Sequence, residues 1–332
     1  MNQAFRFRVR LLATLGASLA LPGAAWAQVA FPEKGKSITL LVPYGAGGMI
    51  DVMGRTLAQG WDAKWGTSTM VVNRPGANGQ LAFTEMLRSK RDGYTIAFTH
   101  SFDSQMTYLD PGAGAAYSRS DFAPVALAQR TPSIWVVRAD SPIKTGKDLV
   151  AAALAQPGKV NIGSPAARGA TVLYTRLLEE RFGARFNTVP FNDVPSTVNA
   201  LLGGHLDAAT SNVAVALANV KAGKLRVIMV NGDLPVEFFP DAPTSASLGM
   251  PMPDFSSTGL ALAAGAPQYV VDAWAAMIRE LTAEPATRAR MRALGVTLDF
   301  MPPSEYARLW LDIEQSVSKL LVQVAGSART PR

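Results

Sequence analysis

The chain has 332 residues, 48% of them hydrophobic and 17% charged, with a formal net charge of +7. It contains no cysteine and two histidines, which excludes disulfides, thiol catalysis, cysteine-ligated metals and His-rich metal centres. The length suits two domains, and the scattered basic residues lack the Lys/Arg runs and interleaved aromatics of a nucleic-acid surface.

Arg6, Arg8 and Arg10 open the chain without an acidic residue, an apolar run follows at 11–21, and Ala25-Trp26-Ala27 has the form of a small-x-small cleavage site. This is the pattern of a secretory signal peptide, too short and wrongly flanked for a membrane span. Residues 1–27 are therefore expected to be removed, leaving an exported soluble chain that begins at Gln28.

Residues 37–42 form an apolar run that predicts a buried strand, and 50–64 carry a helical pattern. Between them lies Val42-Pro43-Tyr44-Gly45-Ala46-Gly47-Gly48. A glycine-rich turn from strand to helix gathers backbone N–H groups at one spot, with the positive helix end behind them. It makes an anion site that needs no charged side chain. A dinucleotide fingerprint is disfavoured, because the third glycine position is Ile50 and the second strand ends at Asn73 rather than at an acid. A small carboxylate fits better, although a plain tight turn accounts for the glycines equally well.

Further strands are predicted at 70–73, 95–99, 133–137, 161–163, 187–189, 207–210, 225–230 and 258–263. Helices are predicted at 79–89, 145–156, 171–182, 195–202, 213–222, 268–282, 285–294 and 303–324. Strands separated by helices imply parallel sheets with βαβ crossovers. Gly183, Gly203, Gly223 and Gly295 stand where helices should end. Two more loops, 73–79 and 164–171, resemble the first and also precede helices. No G-x-S-x-G elbow, H-E-x-x-H or P-loop is present, and no pair of carboxylates stands out as catalytic. The chain reads as a binding protein rather than an enzyme, and no cofactor is expected.

The order and spacing of several segments resemble the substrate-binding proteins of tripartite tricarboxylate transporters, the Bug or TctC family. The segments are Val42 to Gly48 with Asp51, Val72-Asn73-Arg74-Pro75-Gly76-Ala77-Asn78-Gly79, Asp92-Gly93-Tyr94-Thr95, Asp121-Phe122-Ala123-Pro124-Val125, Asn161-Ile162-Gly163-Ser164, Val189-Pro190-Phe191, Leu201-Leu202-Gly203-Gly204-His205-Leu206-Asp207 and Lys221-Ala222-Gly223-Lys224-Leu225-Arg226. The resemblance implies an α/β periplasmic binding protein fold, with two doubly wound lobes and a ligand cleft between them. Hinges are expected near 130–133 and 231–235, giving one lobe from 28–131 plus 232–332 and the other from 132–231. It further implies a periplasmic receptor that captures a small carboxylate-bearing compound and delivers it to the integral-membrane permease subunits of the transporter. The alternative is a carboxylate sensor feeding a signalling partner.

Ligand-facing candidates come from the loops at the expected cleft: Tyr44, Ala46, Gly47, Gly48 and Asp51; Asn78; His100 and Ser101; Ser164, Arg168, Gly169 and Thr171; Phe191; and Asp207. Each has a plainer reading. Asp51 suits a first helical turn through the dipole, and Ser101, Ser164 and Thr171 suit helix caps. The chain departs from the family's usual residues at His100-Ser101-Phe102, at Arg168 and Val172, and at Asn192-Asp193-Val194. These departures bear on the identity of the ligand, not on the fold.

Overall fold

The computed structural model describes residues 31–327 apart from 168, 234 and 255. The expected signal peptide and Arg168 thus lie outside the described residues.

In chain order the elements of the first lobe are β1 (Ser37–Val42), α1 (Met49–Trp65), β2 (Ser68–Asn73), α2 (Gln80–Arg88), β3 (Thr95–His100), α3 (Asp103–Leu109) and β4 (Phe122–Arg130). The chain then enters a second sheet through β5 (Ile134–Arg138), α4 (Gly146–Ala155), β6 (Val160–Ser164), α5 (Ala170–Phe182), β7 (Phe186–Pro190), α6 (Val194–Leu202), β8 (Ala208–Ser211), α7 (Val213–Lys221) and β9 (Leu225–Val230). It returns through β10 (Ser257–Ala263), α8 (Gln268–Ala283), α9 (Pro285–Ala293), β11 (Leu298–Met301) and α10 (Pro303–Ser327). The strand orders are β11-β4-β10-β3-β1-β2 and β7-β6-β8-β5-β9.

Both sheets are mixed, which corrects the expectation of parallel sheets. β1 runs parallel to β2 and β3, and β6 to β7 and β8. β10 is antiparallel to β3 and β4, and β5 to β8 and β9. The reversed strands are β5 and β10, by which the chain enters each lobe, and the short edge strand β11, which is antiparallel to β4. The C-terminal ends of the parallel strands face the cleft, so a strand arriving from the other lobe starts there and runs away from it.

The second crossing also sits later than expected. Residues after β9 stay with the second sheet: Val230 bridges Thr244, and Val236 and Phe239 pack with Ile134, Val198 and Leu217. Met250 and Met252 pack with Trp135 and Ile228. The chain reaches the first sheet only where the Thr131 N–H donates to the Ser256 carbonyl at 3.2 Å, beside the outgoing crossing. Asn231 remains near that crossing, accepting from Trp135 Nε1 at 3.0 Å and donating to Ser133 Oγ at 2.7 Å.

The first core is built on buried faces of β1, β3 and β10, covered by α1 and α8, with Trp61 and Trp274 meeting edge to face at 5.0 Å between ring centroids. α10 joins the two halves. Tyr306 and Trp310 pack with Leu41, Phe83 and Leu127 of the first, while Ile313 and Val317 pack with Leu173 and Leu178 of the second.

Of the expected helix ends, Gly183, Gly223 and Gly295 take positive φ. After α6, however, Gly203 is right-handed at φ −73° and Gly204 takes the left-handed turn at φ 78°.

Candidate functional site

A cavity of about 130 Å³ lies where the loops of the two sheets meet. The first sheet supplies Tyr44, Gly48, Met49 and Ile50 from the β1–α1 turn, and His100, Ser101 and Asp103 after β3. The second supplies Gly169, Ala170 and Thr171 at the start of α5, Asp193 to Pro195 at α6, and Thr210 to Asn212 after β8. Gly45 is needed for this meeting, because a Cβ there would lie 3.2 Å from Asp193 Oδ2.

Besides the seven-residue α3, which starts at Asp103, four helices among the described residues begin at this cavity, and they begin in two ways. α6 is capped by Asp193, whose carboxylate accepts from the Ser196 N–H at 2.7 Å, and α7 by Asn212, which accepts from the Val215 N–H at 3.0 Å. α1 and α5 start instead at Gly48 and Gly169, in extended backbone and without a side-chain cap. A side chain normally satisfies one of the first N–H groups of a helix. At α1 and α5 no N-cap side chain does so; at α5 the Ala170 N–H faces Asp103 and the Val172 N–H bonds the Gly169 carbonyl at 3.1 Å, and the remaining first-turn N–H groups of both ends stand before the positive ends of the helix dipoles. Among the described residues lining the cavity there is no lysine or arginine.

The polar side chains on the first-lobe wall form one connected group. Tyr44 donates to Asp103 Oδ2 at 3.1 Å, and His100 Nδ1 lies 3.0 Å from Thr258 Oγ1. Ser101 bonds Ser257 through both hydroxyls, and its N–H donates to the Ser257 carbonyl at 2.8 Å. Burial pushes the Asp103 carboxyl upward, against the pull of His100, Tyr44 and the Ala170 N–H. Oδ1 of Asp103 is buried and closes no full hydrogen bond among the described residues. Burial likewise pulls His100 below its ordinary value, opposed by Asp103, so the imidazole is neutral at neutral pH. Burial, then Asp103, pushes Tyr44 well up, so its hydroxyl stays a donor. The turn that presents these groups passes through Phe102, buried at φ 71° and ψ −62°, a conformation that costs a non-glycine residue about 1–3 kcal/mol.

The cavity thus brings together Tyr44, Gly48, His100, Ser101, Gly169 and Thr171 of the sequence-derived set. Thr171 is buried and its hydroxyl bonds Thr210. Asn78 and Phe191 line a neighbouring groove of about 750 Å³ that shares Tyr44, Pro165 and Ala166 with the cavity. The remaining candidates are occupied elsewhere. Asp51 is buried behind the first turn, accepting from the Gly47 N–H at 2.9 Å, from Arg55 and, at 3.0 Å, from Asn73 Nδ2. Burial pushes its carboxyl up, but Arg55, the Gly47 N–H and Asn73 together hold it below the ordinary value. Gly47 is therefore engaged by the protein's own carboxylate, and with Ala46 it faces solvent outside the cavity. Ser164 is buried and closes its own loop, donating to the Ala166 carbonyl at 2.6 Å. Asp207 is exposed just ahead of β8, away from the strand end that meets the cavity, and accepts from the Asn161 N–H at 2.7 Å.

Although Asn192-Asp193-Val194 stands out as a departure in an expected ligand-facing loop, the sequence-derived set omits Asp103, Asp193 and Asn212. The last two carried a signal, an Asp or Asn immediately before a helical pattern. Asp103 carried none strong enough, since α3 is a seven-residue helix entered through a strained turn.

Comparison with known proteins gives one answer. Residues 53–325 match the family model described as the tripartite tricarboxylate transporter family receptor, TctC. Protein BugT of Bordetella pertussis is 30% identical over 243 residues, 73% of this chain and 74% of that protein. A TctC solute-binding protein from Polaromonas superposes with a TM-score of 0.68 at 26% identity, covering 89% of this chain and all of that one. MatC from Rhodopseudomonas palustris, solved with bound malate, shares the fold at a TM-score of 0.77 and 22% identity, covering 86% of this chain and 98% of that one. With a family model spanning most of its length and a two-lobed binding fold, the chain belongs to the TctC family of tripartite tricarboxylate transporter receptors.

Proposed function

We propose that this solute-binding receptor works in the periplasm, holds a small carboxylate in the cavity between its lobes, and passes it to the membrane permease of a tripartite tricarboxylate transporter. The observation that carries the reading is the pair of uncapped N-termini, α1 at Gly48 and α5 at Gly169, opening on one cavity. Backbone N–H groups at two helix ends supply the positive potential that a carboxylate requires. The malate bound to MatC, a protein of the same fold, agrees with that chemistry.

In this reading Tyr44, Gly48, His100, Ser101, Gly169 and Thr171 contact the ligand, and Asn78 and Phe191 contact whatever extends into the groove. Arg168, next to the α5 N-terminus, pairs with a distal acidic group of the ligand. The lobes are 31–131 with 256–327, and 132–254, hinged at the paired crossings by Thr131 and Ser256. The export segment is removed after Ala27, which N-terminal sequencing of exported protein checks by a first residue of Gln28.

The deciding experiment is mass spectrometry of ligand released from purified protein, followed by thermal melting with a panel of carboxylates. A ligand at 100 times its dissociation constant adds about 2.7 kcal/mol to the folded state. A few acids should raise the melting midpoint by several degrees, their amides and esters should not, and small-angle scattering should show a more compact particle with a hit. Stabilisation only by neutral or cationic compounds defeats the carboxylate reading, and consumption of a hit defeats the receptor reading.

A further inference from the structure

The two lobes reach across the cleft with carboxylates of their own. Asp103 belongs to the first lobe as the first residue of α3, and its Oδ2 accepts from the Tyr44 hydroxyl at 3.1 Å. Its buried Oδ1 faces the Ala170 N–H, the first of α5 in the second lobe, and lies 3.5 Å from where a Gly169 Cβ would stand. Asp193 makes the reverse approach, with Oδ2 3.2 Å from the place of a Gly45 Cβ in the first lobe. A third contact lies on the rim, where Glu237 of the second lobe meets Arg292 at 3.2 Å and accepts from the Thr297 hydroxyl at 3.1 Å. These three differ in weight. The rim pair is exposed, and an exposed pair adds little. Asp193 uses Oδ1 to cap its own helix, α6. Of the three, Asp103 alone brings an oxygen shielded from water to the positive end of a helix in the opposite lobe.

We infer that Asp103 latches the lobes: from the first lobe it supplies the cap that α5 in the second lobe lacks, and so favours the closed cleft whether or not a ligand is bound. A capping side chain ordinarily belongs to the residue just before its helix, so that cap and helix move together. Here the helix begins at Ala170 and the carboxylate is at 103, on opposite sides of the crossings by Thr131 and Ser256. Opening the cleft therefore parts the carboxylate from the Ala170 N–H and returns both to water. Tyr44 holds Oδ2 and thereby turns Oδ1 toward the helix end. The latch is made of the chain's own atoms, so it does not depend on which ligand the cavity takes.

The test measures the distance between the lobes in the exported, full-length protein, shown by mass spectrometry to carry no small molecule. The chain has no cysteine, so Ala77→Cys and Asn192→Cys, at exposed positions of the groove on opposite lobes, take one spin label each. Pulsed dipolar spectroscopy then reads the closed and open populations. Two changes remove the latch, one from each side. Asp103→Asn takes away the charge. Ala170→Pro takes away the N–H at the first position of α5, where proline is tolerated and where Gly169 before it is already extended at ψ −179°. Each should raise the ratio of open to closed protein on the order of tenfold, the scale of an anion at a partly buried helix N-terminus. The two together should do no more than the larger of them, because both remove the same contact. Glu237→Gln on the rim should shift the ratio less than about fivefold. If Asp103→Asn does not fold, Ala170→Pro decides. Variants that melt lower but keep the wild-type distances make Asp103 a scaffold residue and overturn the inference. So does a wild type that is mainly open without ligand, or a shift from Glu237→Gln larger than that from Asp103→Asn.

Discussion

Apart from the short α3, the four helices that start at the cavity divide into two kinds, and the contrast separates binding from scaffolding. α6 and α7 start on Asp193 and Asn212, side chains that satisfy the helix end and fix where the helix begins. α1 and α5 start on Gly48 and Gly169, which have no side chain to cap the helix and accept only through their carbonyls. An N-cap of Asp or Asn is worth about 1 kcal/mol relative to alanine. The chain takes that stability at two ends and forgoes it at the two that face each other across the lobes. The ends without caps are those expected to meet the anion.

Several substitutions break this contrast from either side. The largest effect is expected from Gly169→Asp. A Cβ at that position lies 3.1 Å from the Ala166 Cβ and 3.5 Å from Asp103 Oδ1, so the new carboxylate both caps α5 and crowds the ligand with like charge. Affinity for a carboxylate found by thermal screening should fall at least about 30-fold by calorimetry. The melting midpoint should fall as well, because the Cβ meets Ala166 tightly and the carboxylate stands beside buried Asp103, so affinity is read below the variant's own melting range. Unchanged affinity would remove the α5 end from the site.

Gly48→Asp is a milder form of the same experiment. The backbone there is extended at φ −75°, and the nearest atom to a new Cβ is the Gly45 carbonyl at 3.6 Å, so the side chain fits. The cap gains a few tenths of a kcal/mol over glycine and takes an N–H from the ligand. A hydrogen bond to a charged group is worth about 1.5–3 kcal/mol, so affinity should drop about tenfold or more while stability holds or rises slightly.

Asn212→Ala tests the opposite kind of helix end. Loss of the α7 cap should cost about 0.5–2 kcal/mol, seen as a fall of a few degrees in the melting midpoint. Affinity should change less than about threefold, a bound set by the lack of any lost charged contact. A large loss of affinity with no loss of stability would erase the distinction between the two kinds of end.

The smallest effect concerns pH and the inner carboxylate of the first turn. Asp51 is held below its ordinary value when folded, so its stabilising contribution is full above the unfolded value of about 3.9 and is lost as pH falls through the folded one. The melting gap between wild type and Asp51→Asn should therefore be constant from neutral pH down to about 4 and narrow below it. A gap that widens on acidification would show that Asp51 is not ionised in the folded state.

The β1–turn–α1 unit was legible because each part of it is local: an apolar run, glycines where the backbone turns, and a helical period. The same is true of β9, found over its full length at 225–230. β4 was missed because its sequence, with Pro124 inside it and several alanines, lacks the period of a strand. Proline is tolerated there because the pairing with β10 shifts register between Leu260 and Ala261, where Ala261 meets Pro124. β11 is four residues long, and only its pairing with β4 makes it a strand. Of the candidate site, the loops were legible and the choice of residue within them was not. Asp51 and Gly47 read as ligand contacts but bond each other, since a carboxylate four residues on in the first helical turn reaches back to the turn's own N–H.

By itself the sequence determined which segments alternate, where glycine and asparagine or aspartate punctuate them, and to which family the pattern belongs. These are properties of neighbouring residues, and torsional preference and hydrophobic period act over a few residues at a time. Tertiary structure decided the direction of β5 and β10, the late second crossing after Met252, and the meeting of Tyr44, His100 and Asp103 with Ala170 and Asp193. Those outcomes depend on which strand ends face the cleft and on which polar groups lose water together when the lobes are assembled, and neither is a property of any single stretch of chain.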